Sequence, residues 1–199
     1  MGEALPRAMM DLQEYLRWEA EQAEKHEYLG GEIFAMVGVR REHALVAGAL
    51  YAALRQRLKG SPCQAFVADM KLQVATADAC FYPDVMVTCD PRDRSADTAI
   101  EHACLVVEVL SASTAAFDRG DKFASYRRLE SLHEYLLVDI EARRLELYRR
   151  KEGYWLLFEF EPGGPALQLE SIGVALDPVE VFEDLDPQPQ PGTGKQAGE

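Results

Sequence analysis

The 199-residue sequence lacks any long hydrophobic segment, and this absence bears on where the protein acts. No apolar run approaches the roughly 20 residues that a membrane-spanning helix requires. Residues 1–25 are charged throughout, which does not fit the apolar centre of a secretory signal peptide. We therefore expect a cytoplasmic protein with no membrane partner.

Cysteine is also scarce. Cys63, Cys80, Cys89 and Cys104 are far apart, and no two of them have the C-x-x-C spacing. That spacing is the usual sequence sign of a zinc site or of a redox-active pair. Because disulfides are rare in reducing compartments, we predict free thiols rather than zinc ligands or disulfide bonds.

Basic residues are fewer than acidic ones. The chain has 21 Lys and Arg against 34 Asp and Glu, which gives a formal net charge of −13. Because phosphate binding favours basic surfaces, this balance argues against a protein that reads DNA sequence. Residues 151–199 alone carry −8, so the preceding residues carry only −5. An enzyme with a local basic groove is compatible with this distribution.

The size and composition of the chain fit one globular domain with a sizeable core, since 48% of the residues are hydrophobic and 28% are charged. The sequence shows no internal repeat and no linker between domains. We predict a flexible N-terminus over residues 1–9 and a single domain over residues 10–185. The Pro-, Gly- and Gln-rich residues 186–199 predict a disordered tail.

The hydrophobic pattern predicts both helices and strands. Asp11 and Glu14 have the spacing of a capping box at a helix start, and Gly30-Gly31 separates two strand-like runs. A long helical pattern follows in EHALVAGALYAALRQRL, then several strand-like runs, the helix DRGDKFASYRRLE and three more strand-like runs. This order predicts an α/β (mixed α+β) fold, with a mixed β-sheet flanked by helices and additional β-hairpins.

One acid interrupts the most apolar of these strands. Residues 104–110 read CLVVEVL, which is typical of a strand buried on both faces. Strand alternation predicts that Glu108 shares a face with Cys104, Val106 and Leu110. Because an unpaired buried carboxylate costs several kcal/mol as an order of magnitude, Glu108 needs a partner.

Asp84 is the nearest acid that could share that partner. It follows Pro83, which cannot donate to a sheet ladder and so marks an edge, a bulge or the start of a strand. Carboxylates on two successive strands can bind Mg²⁺, which takes one or two carboxylates together with waters and phosphate oxygens. The alternative interpretation is structural, with Asp84 capping a turn and Glu108 paired with an arginine.

Lys122 is predicted in the first turn of a helix, where the helix dipole disfavours a cation. It has the (i, i+4) spacing with Tyr126 that places both side chains on one helix face. A lysine beside the two acids could orient an attacking water or offset charge that develops on phosphate. A solvated surface lysine is the alternative, and Lys71 in ADMKLQV is the nearest competitor for the same role.

Several of these segments, in this order, resemble those of one known family. The segments are EKHEYLGGEI, EHALV, YPDVMV, LVVEVLSAST, DRGDKFASY and HEYLLVD. They are similar to the Uma-two family, described as putative restriction endonucleases, within the PD-(D/E)XK nuclease superfamily. The resemblance covers about residues 10–185 and implies a restriction-endonuclease-like core.

The resemblance also implies a set of site residues. Asp84 and Glu108 match the two acids of the superfamily motif, and together with the Val109 carbonyl they would bind Mg²⁺, or Mn²⁺ in its place. Leu110 stands where the superfamily has a lysine, two residues after the glutamate. The resemblance implies that Lys122 takes over as the catalytic lysine.

Glu32, His43 and Asp118 are weaker candidates for the site, and each of them has a structural interpretation. Glu32 matches the family's GE pair and could add a catalytic carboxylate, or it is an exposed strand residue after a turn. His43 lies in the first turn of a predicted helix, where we interpret it as a helix-end or packing histidine rather than a ligand. Asp118 is predicted to be a helix N-cap.

Together these residues predict a metal-dependent endonuclease that hydrolyses DNA, in which Lys122 positions the attacking water. Two alternatives stay open. A nuclease-fold protein without catalysis, acting as a binding or scaffolding subunit, fits the acidic surface and Leu110. A metal-dependent phosphohydrolase of small phosphate esters would need no basic groove.

A homodimer is also expected. Cutting both strands of a duplex usually calls for two active sites, and soluble oligomers are most often two-fold symmetric. The strand-rich residues 143–160 offer Tyr148, Tyr154, Trp155 and Phe158 for an interface. The expected partners are therefore DNA and a second copy of the chain.

Overall fold

A computed structural model describes residues 10–36 and 38–186 of the chain. The predicted flexible N-terminus lies outside the described residues, as does residue 187 onwards of the predicted tail. The helices of the described part are α1 (Leu12–Glu19), α2 (Arg41–Arg57), α3 (Ala115–Phe117), α4 (Phe123–Tyr126) and α5 (Pro178–Phe182). A π-helical turn, Asp118–Lys122, joins α3 to α4.

Thirteen strands form three sheets in the same part of the chain. They are β1 (His26–Leu29), β2 (Glu32–Ala35), β3 (Gln64–Val67), β4 (Lys71–Val74), β5 (Ala79–Phe81), β6 (Val85–Thr88), β7 (Ala99–Ile100), β8 (Ala103–Val109), β9 (Glu134–Asp139), β10 (Arg144–Lys151), β11 (Tyr154–Phe160), β12 (Leu167–Leu169) and β13 (Val174–Leu176). Short 3-10 turns occupy Ala75–Ala77 and Pro91–Ser95.

The largest sheet has the order β11-β10-β9-β8-β6-β3. Its neighbours are antiparallel except for β8 and β9, which are parallel. Parallel strands need a crossover connection, and here α3, the π-helical turn and α4 provide it. The crossover brings Lys122 back over the sheet that carries Glu108. The predicted mixed sheet with flanking helices is confirmed.

A second sheet has the order β2-β1-β5-β4-β7, and β12 pairs with β13 as a separate hairpin. The chain passes from the second sheet to the largest one between Phe81, at the end of β5, and Val85, at the start of β6. Pro83 and Asp84 lie in this connection, so Pro83 precedes a strand as predicted.

Several local predictions are confirmed. The Asp11 side chain accepts a hydrogen bond from the Glu14 N–H (2.8 Å), and the Glu14 side chain accepts one from the Asp11 N–H (3.0 Å). This capping box opens α1. Gly30 and Gly31 have φ values of 58° and 93°, a region that glycine adopts without strain, and they form the β1–β2 turn.

The core has two main layers, one on each face of the largest sheet. Leu105, Val107 and Val109 of β8 pack on the side of α2. Val106 packs on the opposite side with Phe81 and Tyr126, between the second sheet and the crossover. The prediction that this strand is buried on both faces is therefore confirmed.

A β-bulge changes the predicted face of one residue in β8. Val87 of β6 opposes Leu105, but the next residue, Thr88, opposes Ala103, so Cys104 is an extra residue in the ladder. Cys104 consequently packs in the layer of α2, whereas Val106 packs in the other layer. The predicted shared face of Glu108 and Cys104 is wrong because alternation fails at the bulge.

Cys63 and Cys89 form a disulfide bond, so the prediction that all cysteines are free thiols is wrong at these two positions. The antiparallel pairing of β3 with β6 places Gln64 opposite Thr88. The two cysteines are the next pair outward, and they face each other for that reason. Cys80 and Cys104 are free and buried.

Among the described residues, no helix has both the length and the apolar character that crossing a bilayer demands.

Candidate functional site

A cavity of about 410 Å³ opens between the β1–β2 hairpin, the start of α2, the end of β8 and the π-helical turn. Ionisable side chains from six different segments line it. Six acidic or basic side chains of its lining are buried or half-buried: Glu27, His43, Asp84, Glu108, Asp118 and Lys122. We call these six residues the acidic cluster.

Glu108 lies on β8, and Asp84 directly precedes β6, the neighbour of β8 in the largest sheet; the sequence predicted both acids on strands, and Asp84 falls one residue before its strand. The N–H of Val109 donates a hydrogen bond of 2.7 Å to Asp84 Oδ2, which joins the β5–β6 connection to the end of β8. Glu108 is only 3% exposed. Its backbone is fixed on both sides by β6 and β9, so its carboxylate is held at the wall of the cavity.

Lys122 is the principal partner of Glu108. Its Nζ is 3.0 Å from Glu108 Oε1, 3.0 Å from Glu27 Oε1 and 3.9 Å from Asp118 Oδ1. The Tyr126 hydroxyl also donates to Glu108 Oε1, at 2.9 Å. Glu108 is therefore satisfied by a lysine and a tyrosine, and the alternative of an arginine partner is excluded.

The π-helical turn accounts for the position of Asp118 and Lys122. Such turns widen a helix locally and are frequent at functional sites. The two side chains of the turn point to the same place, as their 3.9 Å contact shows. The predicted N-cap role of Asp118 is wrong, because the helical segment already begins at Ala115 and Asp118 is buried inside it.

The carboxylate that the β1–β2 hairpin contributes comes from Glu27 and not from Glu32. Glu27 accepts a hydrogen bond of 3.2 Å from the Tyr82 N–H and contacts Lys122. Glu32 is exposed next to the turn, where it pairs with Leu29, and it does not line the cavity. Of the two interpretations of Glu32, the structure supports the exposed strand residue after a turn and not the added catalytic carboxylate.

His43 belongs to the acidic cluster, although the sequence favoured a packing role for it. Its Nε2 is 3.2 Å from Asp84 Oδ2. Burial would lower the pKa of His43, but the hydrogen bond and the charge of Asp84 outweigh this effect and raise it. The sequence feature that could have indicated His43 is its place in the first turn of α2, the helix that begins beside Asp84 in the structure.

The acidic cluster contains more carboxylates than basic side chains. Four carboxylates surround one lysine, and burial raises the pKa of Glu108 well above its usual value, although Lys122 opposes this shift. Burial alone would lower the pKa of Lys122, but the nearby carboxylates, Glu108 first, raise it. Lys122 therefore stays charged, and a further cation beside Glu108 and Asp84 would offset the burial and the carboxylate repulsion that raise the pKa of Glu108.

The donor atoms fit a hard divalent cation. Tyr126 and Lys122 both approach Glu108 at Oε1, and Val109 and His43 both approach Asp84 at Oδ2. The other oxygen of each carboxylate is the one left for a cation. Within residues 10–36 and 38–186, no three His, Cys, Asp or Glu side chains form a ready-made metal site. A cation at these two oxygens would have two carboxylate ligands, and Mg²⁺ takes one or two together with waters.

The other sequence candidates lie around this cluster. Leu110 packs in the core layer next to Phe123 and also lines the cavity. Lys71, the competitor of Lys122, has its Nζ 5.6 Å from the centre of the Tyr82 ring and does not line the cavity. Lys122 is thus the lysine that the structure brings to Glu108.

Comparison with known proteins gives a family match over most of the chain. The family described as "Uma2: Putative restriction endonuclease" matches residues 12–178.

Two curated relatives come from Synechocystis sp. The "Uncharacterized protein slr1290" is 40% identical over 181 residues, which are 90% of this chain and 95% of the relative. The "Uncharacterized protein sll1609" is 37% identical over 149 residues, or 73% of this chain and 84% of the relative.

One solved structure shares the fold. It is described as the crystal structure of a putative nuclease belonging to DUF820 from Anabaena variabilis. The match has a TM-score of 0.73 and 16% sequence identity, and it covers 87% of this chain and 98% of the other. At this identity the likeness shows the fold: a mixed α/β core.

Proposed function

The chain belongs to the Uma2 family of putative restriction endonucleases, and from this premise and the acidic cluster we propose that it is a metal-dependent endonuclease that hydrolyses DNA phosphodiester bonds. The observation that carries the proposal is the contact of Lys122 with Glu108 beside Asp84 in an open cavity. Carboxylates can hold the cation that metal-assisted phosphodiester hydrolysis uses, and a lysine beside them can position the attacking water.

Asp84 and Glu108, with the carbonyl of Val109, would hold Mg²⁺, and Mn²⁺ could replace it. When bound, the cation polarises the scissile phosphate and lowers the pKa of a water molecule. The excess of carboxylates over cations in the cluster supports this assignment. The N–H of Val109 and the His43 ring hold the Asp84 carboxylate in place for it.

Lys122 would position the attacking water and offset negative charge on the phosphate in the transition state. Its ammonium is held between Glu27 and Glu108, at 3.0 Å from each, so its position depends on both. A pre-positioned charge of this kind costs little reorganisation during the reaction. Glu27 and Asp118 act through Lys122 in this scheme, as positioning residues.

The loop after β8 would contact the phosphate backbone. Ser111 Oγ is 3.0 Å from Thr114 Oγ1 and 3.1 Å from Ser113 Oγ, so the three hydroxyls form one network on the cavity wall. Arg40 lies on the same wall and is exposed. Hydroxyls and an arginine are common phosphate ligands, and they supply the local positive and polar surface that the net charge alone would not suggest.

A second function, hydrolysis of small phosphate esters, is favoured by the size and charge of the cavity. Its volume of about 410 Å³ falls within the range of small-molecule sites, roughly 300–1,000 Å³. Glu42 and Glu141 also line it and would repel an approaching polyanion. Hydrolysis of nucleotides without cleavage of polymers would favour this function.

A scaffold protein without catalysis is less well supported. The acidic surface and Leu110, which stands where the superfamily has a lysine, both favour it. Since Lys122 approaches the carboxylate of Glu108 from the crossover instead, the missing lysine no longer counts against activity.

The direct test is nicking of supercoiled plasmid in Mg²⁺, with Asp84→Asn as the inactivated variant. The matched control is Asp97→Asn, which makes the same change at an exposed aspartate outside the cavity. We expect Mg²⁺-dependent nicking in the wild type and the control and none in Asp84→Asn. Nicking that survives in Asp84→Asn would show a contaminating nuclease, and DNA binding without nicking in the wild type would support the scaffold.

The proposal includes a homodimer, because cleavage of both strands of a DNA duplex usually calls for two active sites. It places the protein in the cytoplasm, where cellular DNA is the substrate.

A further inference from the structure

β11 is an edge strand with an unusual surface. It ends the largest sheet, and within the described residues its only strand partner is β10. Four of its seven residues are exposed apolar or aromatic side chains: Tyr154 (74%), Leu156 (45%), Leu157 (49%) and Phe158 (37%).

Edge strands of proteins that stay monomeric usually carry charges, prolines or bulges that prevent pairing with another chain. β11 reads YWLLFEF, with a single charge at Glu159 and no proline, and its pairing with β10 is regular throughout. Elsewhere in the described chain, large hydrophobic side chains are exposed only at Met36, Val39 and Val179. The apolar surface is therefore concentrated on β11.

We propose that β11 pairs antiparallel with β11 of a second copy of this chain, around a two-fold axis at Leu157, so that the two largest sheets become one continuous sheet. A two-fold axis perpendicular to the sheet makes the same edge self-complementary. Pairing satisfies the outward backbone groups of both strands and covers their exposed side chains at once.

The sequence of β11 favours this register. With Leu157 opposite its own copy, all seven residues of the strand are paired, Tyr154 opposite Phe160 and Leu156 opposite Phe158. Such aromatic–aliphatic pairs stabilise neighbouring strands. The single acid, Glu159, is then opposite Trp155, whereas a register centred on Glu159 would place two carboxylates directly against each other.

The structure also narrows the surface that the sequence predicted for dimerisation. Two of the four aromatic residues pack internally, because the Phe123 ring lies 4.6 Å from Tyr148 and 5.2 Å from Trp155, centre to centre. Tyr154 and Phe158 remain exposed. The interface is therefore the outer edge of β11 and not the hairpin as a whole.

The pairing gives an interface to the homodimer of the proposed function, but it does not require the acidic cluster to be active. No residue of β11 lines the cavity, so a change in this strand tests assembly while the acidic cluster is intact. Loss of dimerisation would consequently be seen in the molecular mass, and loss of DNA cleavage in the nicking assay.

The first test compares Leu157→Lys with Val179→Lys by light scattering during gel filtration. The two residues are similarly exposed, 49% and 47%, but only Leu157 lies at the proposed axis. Like charges opposite each other should give a monomer for Leu157→Lys and a dimer for the wild type and Val179→Lys. Circular dichroism and thermal unfolding check that both variants fold. A monomeric wild type, or a Leu157→Lys variant that stays dimeric, would overturn the proposal.

The second test uses cross-linking and does not rely on disrupting the surface. Under mild oxidation, Leu157→Cys should form a covalent dimer on a non-reducing gel, because residues directly opposite across strands have Cβ atoms about 4.5–5.5 Å apart. Val179→Cys and the wild type, whose free Cys80 and Cys104 are buried, should stay monomeric on the gel. Equal cross-linking of Leu157→Cys and Val179→Cys would contradict the pairing.

Discussion

The Nζ atom of Lys122 lies 3.0 Å from Oε1 of Glu108, although Glu108 is near the end of β8 and Lys122 is midway along the β8–β9 crossover. The contact joins a strand in the middle of the largest sheet to the turn that passes over it. Because both groups are almost fully buried, neither can be changed without a consequence for the other.

Replacement of Glu108 by Gln should separate catalysis from stability. The change removes one of the four carboxylates of the acidic cluster, Lys122 keeps Glu27 and Asp118, and the Gln amide oxygen can still accept from Tyr126. The free energy of unfolding without metal should therefore hold or rise. Plasmid cleavage should fall at least about a hundred-fold, since a catalytic cation supplies several kcal/mol. Urea unfolding and nicking rates measure the two effects, with the exposed Glu101→Gln as control. A marked loss of stability would indicate a structural ion pair.

Replacement of Lys122 by Ala should lower both activity and stability. Cleavage should fall on the order of a hundred- to ten-thousand-fold, as for other positioned catalytic groups. Unfolding without metal should become easier by about 3–5 kcal/mol, because Glu27 and Glu108 lose their buried partner. Mg²⁺ should then raise the melting temperature more in this variant than in the wild type.

Two companion variants make the assignment of Lys122 specific. Lys122→Arg should restore charge but little activity, because a planar fork does not replace a compact ammonium between two carboxylates. Lys71→Ala should leave the cleavage rate unchanged, since Lys71 lies outside the cavity. If Lys71→Ala abolishes cleavage and Lys122→Ala does not, the lysine assignment is wrong.

Glu27 and Glu32 provide a matched pair on one hairpin. Glu27→Gln should reduce the cleavage rate, because Lys122 loses one of its two closest carboxylates. Glu32→Gln should cut DNA at the wild-type rate, because its side chain is exposed beside the turn. Equal losses in the two variants, measured in the same plasmid assay, would contradict the role given to Glu27.

The thiol content should be two per chain before reduction and four after it. The bond between Cys63 and Cys89 accounts for the difference. In the folded protein both free thiols should react slowly with a thiol reagent at neutral pH. Burial raises the pKa of Cys80 to about 12 and that of Cys104 to about 11, so little reactive thiolate is present. Four thiols in unfolded, unreduced protein would refute the disulfide.

The parts of the site that could be predicted from the sequence are those with a strong local signal. Glu108 is conspicuous because it is an acid in an apolar strand, and Asp84 because it follows a proline at a strand start. Lys122 is marked by its (i, i+4) spacing with Tyr126, since both side chains contact Glu108, whereas its predicted place in the first turn of a helix is wrong because the helical segment begins at Ala115. Each of these signals lies within a few residues of the side chain concerned.

The parts that could not be predicted depend on pairing between distant segments. Glu27 and Glu32 look alike in sequence, and only the register of β1 with β2 and β5 decides which one meets Lys122. Cys63 meets Cys89 through the register of β3 with β6, and the bulge at Cys104 depends on how β6 pairs with β8. The π-helical turn that buries Asp118 has no reliable sequence signature.

The disulfide between Cys63 and Cys89 turns residues 63–89 into a closed covalent loop, and Asp84 is part of it while Glu108 and Lys122 are not. In the unfolded oxidised chain this loop restricts how far Asp84 can move from β3, because a cross-link removes conformations from the unfolded state. Refolding must then add a free segment, residues 103–126, to a loop that is already closed. A single proteolytic cut inside the loop would leave both fragments joined until a reductant released them.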